Sequence, residues 1–406
     1  MLLHAFLHGE LNEEEIYIEQ PEMFHNGRNE VCLLKRALYG LKQSSRVWNK
    51  QLDAALKQFG LMRSKLDPCI YYKIDGDKML YISVYVDDEL VFTNCVAWKN
   101  SLKAFLMSKF QIKDLGPAQL CLGLNITRDR NKGKIWIDQQ KYIVETLEKF
   151  KMKDCNPVKA PADPHQKLTK SMSPTTEDEE QKMRDVPYLE AVGRLVFISQ
   201  TTRPDITYAV HNVARFNSNP GVPHWNAVKR IFRYLKGSIN CKLEYSKDEM
   251  LQIHGYSDSD WAGDEDTRRS TTGYVFFMQH GPISWATKRQ ATVALSSTEA
   301  EYMAVTAACQ EALWWRQFQA ELQPQLSHVP TTIKIDNCGA QLLATNAAYH
   351  SRTKHIDVRY HFIREQLEAK QITLEHVSSQ EMKADSLTKP IPNGSRMVSQ
   401  FNLMPL

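Results

Sequence analysis

The sequence predicts a multidomain chain, α+β in its first part and α/β in its last. Three observations carry this. Short β-rich runs joined by turn residues fill the stretch from Cys69 to Thr93. Residues 156–187 are rich in Pro, Ser, Thr and charge and read as a linker. From about residue 250 strands come first and then alternate with helices, the pattern of a mixed α/β domain of about 140 residues.

Taken in order, "VCLLKRALYGLKQSSRVWNKQLDAALKQFG" (31–60) reads as a helix. Ala37, Leu38, Leu41, Ser45 and Trp48 make one face, and Lys42, Arg46 and Lys50 recur on another. Gly40 interrupts the pattern and Gly60 stands where a cap would end it. Taken alone, the basic face is solvated surface. "CIYYKIDGDKMLYISVYV" and "ELVFT" then read as strands, with Asp75-Gly76 marking one hairpin. Leu80, Ile82, Val84 and Val86 are expected on one face, and Ser83, Tyr85 and Asp87 on the other. Asp87 and Asp88, followed by Glu89, fall at the tip of a second hairpin. Adjacent carboxylates repel unless a turn solvates them or a metal neutralises them. Asn-Gly or Asp-Gly would serve such a turn better, which favours the metal.

An amphipathic stretch (Leu102 to Phe110), β-like "QLCLGLNITRD" and "KIWIDQ", and helix-like "KYIVETLEKF" lead to the linker. Beyond it, "YLEAVGRLVFISQTT", "PDITYAVHNVARF" and "HWNAVKRIFRYLKG" read as helices, the last with a basic stripe of Lys229, Arg230, Arg233 and Lys236. The strands "IHGYSDSDWAG" and "STTGYVFFMQHGPISWAT", a helix "STEAEYMAVTAACQEALWWRQFQAEL", a strand "TTIKIDN" and a final helix pair complete the chain. No internal repeat is found.

Composition narrows the classes. At 406 residues the chain has room for two or three domains, and its net charge of +4 excludes a globally basic nucleic-acid binder. The eight cysteines form no CxxC pair, which argues for reduced thiols rather than a disulfide framework or a zinc ribbon. No run reaches the ~20 apolar residues of a membrane span, and "MLLHAFLHGELNEEE", where His4, His8 and acids follow a short apolar start, does not make a convincing signal peptide. The expectation is an intracellular protein, cytoplasmic or nuclear, with no membrane partner.

Four acids stand at or near element ends in the last domain: Asp258, Glu301, Asp336 and Asp385. Carboxylates from separate elements that meet at one sheet edge can hold two divalent cations for phosphodiester hydrolysis, and hard Mg²⁺ suits all-oxygen ligands. Singly, Asp258 and Asp385 read equally as caps, Glu301 as a solvated helix residue and Asp336 as an Asx-turn. Asp260, Asp264, Asp266 and Glu299 are rivals, Asp260 above all. His355 and His361 with Asp357 match no standard zinc spacing.

Here the motifs become recognisable. "GYSDSDWAGDEDTRRSTTGY", "SSTEAEYMA", "IKIDNCGA", "KHIDVRYHFIREQ" and "KADSLTKP" resemble, in order, the ribonuclease H domain of copia-type retrotransposon polyproteins. The resemblance implies metal-binding, catalytic roles for Asp258, Glu301, Asp336 and Asp385. Upstream, "AFLHGELNEEEIYIEQPEMF", "ALYGLKQSSRVWNKQLD", "DPCIYY" and "YVDD" resemble the copia-type reverse transcriptase palm. "TRPDITYAV" and "HWNAVKRIFRYLKG" resemble its connecting region. The implied domains are a palm lacking its fingers (1–155), a linker (156–187), a helical thumb or connection (188–248), a ribonuclease H-like mixed sheet with helices (249–392) and a tail (393–406). By the same resemblance Asp87 and Asp88 bind catalytic Mg²⁺, with Mn²⁺ as the other candidate. Tyr39, Gly40, Lys42, Gln43, Arg46 and Lys50 would line template and nucleotide. The implied partners are an RNA template, a DNA primer, an RNA–DNA hybrid and, for a competent polymerase, dNTPs.

Departures from the family qualify this. Its third palm carboxylate aligns on Met1, the preceding family residues are replaced by Leu2, Leu3 and His4, Ser45 stands where proline is usual, and Glu89 replaces an aliphatic residue. The expectation is a C-terminal polyprotein remnant, or an incomplete gene, with impaired polymerase and an intact ribonuclease H acid set. The alternative is a non-catalytic nucleic-acid-binding relic of a transposable element.

Overall fold

A two-stranded hairpin, a four-stranded antiparallel sheet and two α-helices are described in the first of two compact units, Met1–Ala118; the second is Gln119–Leu406. The computed structural model describes residues 5–11, 15–247, 251–326, 328–345, 357–392 and 394–405. Met1 to His4 and His355 lie outside them.

In the first unit a small hairpin (β1, Tyr17–Glu19; β2, Val31–Leu33) precedes helix α1 (Ser44–Gln58). The single helix expected over 31–60 is therefore replaced by a strand, a turn and a shorter helix. The cause is local: Gly40 takes φ +99°, and the Ser44 hydroxyl donates to the Leu38 carbonyl at 2.5 Å, closing a loop in front of the helix. Gly60, at φ +91°, ends it, and Leu61 N–H bonds back to Leu56 O at 3.1 Å.

A four-stranded antiparallel sheet follows, in the order β3 (Met62–Arg63), β4 (Ile70–Asp75), β5 (Lys78–Tyr85), β6 (Asp88–Thr93), and then α2 (Val96–Lys109). Leu80, Ile82 and Val84 of β5 are buried in one core with Trp48, Leu52 and Leu56 of α1 and Leu102 and Leu106 of α2. Burying each such side chain contributes about 1.5–3 kcal/mol. Val86, expected on that face, leaves the ladder at the hairpin turn.

The second unit contains two five-stranded sheets and a helical layer. One sheet has the order β16 (Leu403–Pro405), β10 (Cys241–Ser246), β9 (Lys134–Asp138), β8 (Leu124–Asp129), β7 (Leu120–Cys121). Helices α3 (Gln140–Lys149), α5 (Tyr188–Thr201), α6 (Thr207–Ala214) and α7 (Val222–Gly237) share a core that includes Leu147, Leu195, Val210 and Phe232. Residues 156–187 lie against this layer. They include α4 (Glu177–Met183), whose Thr176 and Glu179 form a reciprocal cap, and Leu168, which is buried in the helical core. Two members of the basic stripe hold this segment: Arg230 bonds Asp163 at 3.1 Å and Arg233 bonds the Asn156 carbonyl at 2.7 Å. "TRPD" supplies a buried ion pair, Arg203 to Asp205 at 2.7 and 2.9 Å, completed by the Tyr234 hydroxyl at 2.7 Å.

The second sheet is mixed, with the order β13 (Gly281–Arg289), β12 (Thr271–Met278), β11 (His254–Ser259), β14 (Thr331–Ile335), β15 (Ile372–His376). β11, β14 and β15 run parallel and the other pairs antiparallel. Helix α8 (Ser297–Leu322) packs on it, Tyr302, Val305 and Cys309 joining Ile333 and Phe276 in one core. Helices α9 (Cys338–Thr345) and α10 (Asp357–Glu368) follow β14. These two helices are the pair expected after that strand, but they do not close the chain: β15, α11 (Gly394–Gln400) and β16 come after them. "QITLEH" has one buried residue at the start of an otherwise more exposed strand, too little alternation to declare itself.

Candidate metal centre

β11 delivers Asp258 at its carboxyl end, and β14, its parallel neighbour, is followed at once by Asp336. Parallel pairing with matched register puts both carboxylates at the same sheet edge. Asp385 comes from a 3-10 turn, Lys383–Leu387, rather than from the start of a helix. Carboxylate oxygens of Asp258, Asp336 and Asp385 lie within 4.8 Å of one another. Glu301, one turn into α8, faces the same place, its Oε1 accepting the Ser259 backbone N–H at 3.2 Å.

Neighbours orient each acid. The Thr388 hydroxyl donates to Asp258 Oδ2. The Ser379 hydroxyl donates to Asp336 Oδ2 at 2.7 Å, and His376 Nε2 meets the Asp336 carbonyl at 3.2 Å. Lys389 pairs with Asp385 at 2.8 Å. Gly273, opposite Asp258 in the ladder, makes the arrangement possible. A Cβ there would come within 2.7 Å of the Thr388 side chain and 2.8 Å of Leu387.

The electrostatics are those of excess negative charge. Burial, with the charges of Asp385 and Asp336 added, pushes Asp258 up to about 7. Burial and the charges of Asp258 and Asp336 push Glu301 up to about 9. Burial works against Lys389, yet its bond to Asp385 and the surrounding carboxylates hold it above its usual value. Glu301 Oε2 is buried without a hydrogen-bond partner. All-oxygen donors, crowded charge and an unpartnered carboxylate oxygen fit a hard divalent cation such as Mg²⁺.

The rival acids are engaged elsewhere. Asp260 accepts from the Thr271 N–H, and burial pushes it up to about 6. Asp264 is bound by Arg289 at 2.8 Å and by Arg215 and Thr267. Asp266 receives the Lys170 N–H at 3.0 Å, and Glu299 the Leu295 N–H at 2.9 Å. Asp260 and Asp264 line a cavity of about 240 Å³ together with His211, Arg215 and Arg289.

In the first unit the turn between β5 and β6 is Val86-Asp87, since Tyr85 pairs with Asp88. Asp88 therefore opens the returning strand instead of sharing the tip. Val86 has φ +52°, a strained setting for a β-branched residue. Its carbonyl accepts the Trp48 indole N–H at 3.0 Å. Asp87 Oδ2 accepts the Tyr39 hydroxyl at 3.0 Å. Lys42, Arg46 and Lys50 are exposed and Gln43 is half-buried. Burial pushes Glu89 up to about 7. Among the described residues the aspartate trio at the second sheet is the one group of three or more acid, histidine or cysteine ligands that converges; Asp87 and Asp88 gather no third.

Thr388, Ser379 and Lys389 escape a reading of the sequence. Thr388 and Lys389 had a signal, standing three and four residues after Asp385 in the same turn. Ser379 reaches Asp336 only through space.

Comparison with known proteins adds the following. The reverse transcriptase (RNA-dependent DNA polymerase) family matches residues 2–164. The Retrovirus-related Pol polyprotein from transposon TNT 1-94 of Nicotiana tabacum is 45% identical over 96% of this chain, which spans 29% of that protein. A putative transposon Ty5-1 protein of Saccharomyces cerevisiae is 33% identical over 74% of this chain and 96% of its own length. The solved foamy viral protease-reverse transcriptase in complex with double-stranded DNA aligns over 86% of this chain and 51% of that one, at 15% identity and a TM-score of 0.47.

Proposed function

This chain belongs to the Pol polyproteins of copia-type retrotransposons, and we propose that its last domain cleaves the RNA strand of RNA–DNA hybrids. The supporting observation is the convergence of Asp258, Asp336 and Asp385 within 4.8 Å, with Glu301 facing them. These four acids would hold Mg²⁺, or Mn²⁺. Bound there, the metal supplies a more acidic water and charge stabilisation for the leaving oxygen.

The chain's own groups set that site up. Thr388, Ser379 and the Ser259 N–H fix the three carboxylate orientations. Lys389 balances Asp385. A hybrid presents a wide, shallow minor groove lined with 2′-hydroxyls on its RNA strand, which distinguishes it from DNA duplex.

The same reading makes residues 1–155 a reverse transcriptase palm, 156–187 a linker, 188–248 a connection, 249–392 the ribonuclease H domain and 393–406 a tail. Asp87 and Asp88 are then polymerase metal ligands. Tyr39, Gly40, Lys42, Gln43, Arg46 and Lys50 face the RNA template, DNA primer and incoming dNTP, positive charge tracking phosphates. Two acids without a third make polymerase output from these residues alone low. No helix among the described residues is long and apolar enough to cross a membrane. The chemistry belongs in the cytoplasm or nucleus, where hybrids arise.

The test is cleavage of a labelled RNA–DNA hybrid by the 406-residue chain in Mg²⁺. Cutting by the unsubstituted chain and its loss in Asp336→Asn is the expected outcome. No cutting in either Mg²⁺ or Mn²⁺, with hybrid binding retained, would leave a non-catalytic binding protein.

A further inference from the structure

Two loops flank the acid cluster, and each carries exposed apolar residues. The loop after β11 exposes 58% of Trp261, three residues beyond Asp258. The loop before α8 exposes 45% of Val293 and 73% of Leu295. Exposed tryptophan is costly to leave in water without a use.

The loops are joined and stiff. The Trp261 indole N–H donates to the Ala294 carbonyl at 3.3 Å, so the ring is held across the gap between them. On one side Ala262 N–H bonds the Ser270 hydroxyl at 3.0 Å, and Asp260 is paired with Thr271 through its own N–H at 3.1 Å. On the other, Ala294 is buried with Ala300 and Met303, and Leu295 N–H is held by Glu299 at 2.9 Å. The wall is thus fixed relative to Asp258 and Glu301, which its two loops adjoin in sequence.

Building on the hybrid-cleaving reading, we propose that Trp261, supported by Val293 and Leu295, is a binding wall for the sugar edges of the hybrid beside the scissile phosphate. A duplex whose phosphate sits at the acids must run on over the adjoining surface. Ribose presents C–H edges in the shallow minor groove of such a duplex. A pre-positioned indole face meets them without an ordering cost. Trp261 does not touch the reacting atoms in this assignment; it sets affinity and register.

The test uses the full chain and a labelled RNA–DNA hybrid. Trp261→Ala should raise KM about tenfold with kcat held within about twofold. In an Asp336→Asn background, fluorescence anisotropy should show the same loss of hybrid affinity. Trp261→Phe keeps an aromatic face but loses the indole bond that holds the ring, and should fall between the unsubstituted chain and Trp261→Ala. Leu295→Ala, at a solvent-facing side chain, gives a smaller KM rise that cannot be ascribed to misfolding. Unchanged KM in Trp261→Ala, or Trp261→Phe failing as badly as Trp261→Ala, overturns the wall while leaving hybrid cleavage standing. Failure of the unsubstituted chain to cut the hybrid overturns the cleavage reading and this inference with it.

Discussion

Thr388 and Asp258, 130 residues apart in sequence, are joined by a hydrogen bond from the threonine hydroxyl to the carboxylate. That bond works against burial, which otherwise drives Asp258 toward its neutral form. Thr388→Val should therefore weaken both the orientation and the charge of Asp258, the metal ligand proposed above. Cleavage of the hybrid should fall roughly 10–100-fold, with a higher Mg²⁺ concentration needed for half-maximal rate. Thr388→Ser should recover most of it. A valine variant with unchanged Mg²⁺ dependence would count against the role.

Arg203 and Asp205 are both fully buried. Asp205→Asn leaves a guanidinium without its counter-charge in the helical core. The expected loss is about 3–5 kcal/mol of stability, read from urea unfolding. Replacing both residues with apolar ones should cost less than the single change.

His211 faces Arg215 and Arg289 across the cavity it shares with Asp260 and Asp264. Burial lowers it to about 4, and both arginines push the same way. The unfolded chain thus binds a proton more readily than the folded one. His211 contributes its stability in full above about pH 6.5, and that contribution is lost as pH falls from there toward 4. His224 is lowered too, chiefly by burial. Because buried acids oppose this trend, the informative quantity is a difference. His211→Gln should flatten the decline in unfolding free energy below pH 6.5, read from urea unfolding at each pH, by up to about 1.4 kcal/mol per pH unit relative to the unsubstituted chain.

Primer extension on a poly-A template should give little or no DNA from these residues alone, since Asp87 and Asp88 gather no third ligand among the described residues. A rate equal to that of an intact polymerase would show that a third group reaches them.

The acids at Asp258 and Asp336 were legible because each ends a run whose β character is plain, and a parallel pair must bring such ends together. The hairpin carrying Asp87 was legible as well, but its turn lies one residue earlier. Nothing in a valine's propensity announces a positive φ at Val86. The apolar spacing over 31–60 continues through Gly40 and so suggests one helix, but the backbone turns the other way there. The basic stripe of α7 was legible as charge but not as purpose: Arg230 and Arg233 hold residues 156–163. Ser379 depends on which distant segments meet, information that no local pattern contains.

The pairing of β10 with both β9 and β16 bears on synthesis. The sheet that begins at Leu120 waits for Cys241–Ser246, and its outer edge stays unpaired until Leu403 has been made. Phe401 and Leu403 also fill the core that holds Met382, Ala384 and Leu387, the same turn that carries Asp385. A nascent chain arrested before these residues would carry the acids but lack their backing, with a bare strand edge open to pairing with another copy. Residues as far along as Leu403 therefore help to hold in place the turn that carries Asp385, although they lie outside the acid cluster itself.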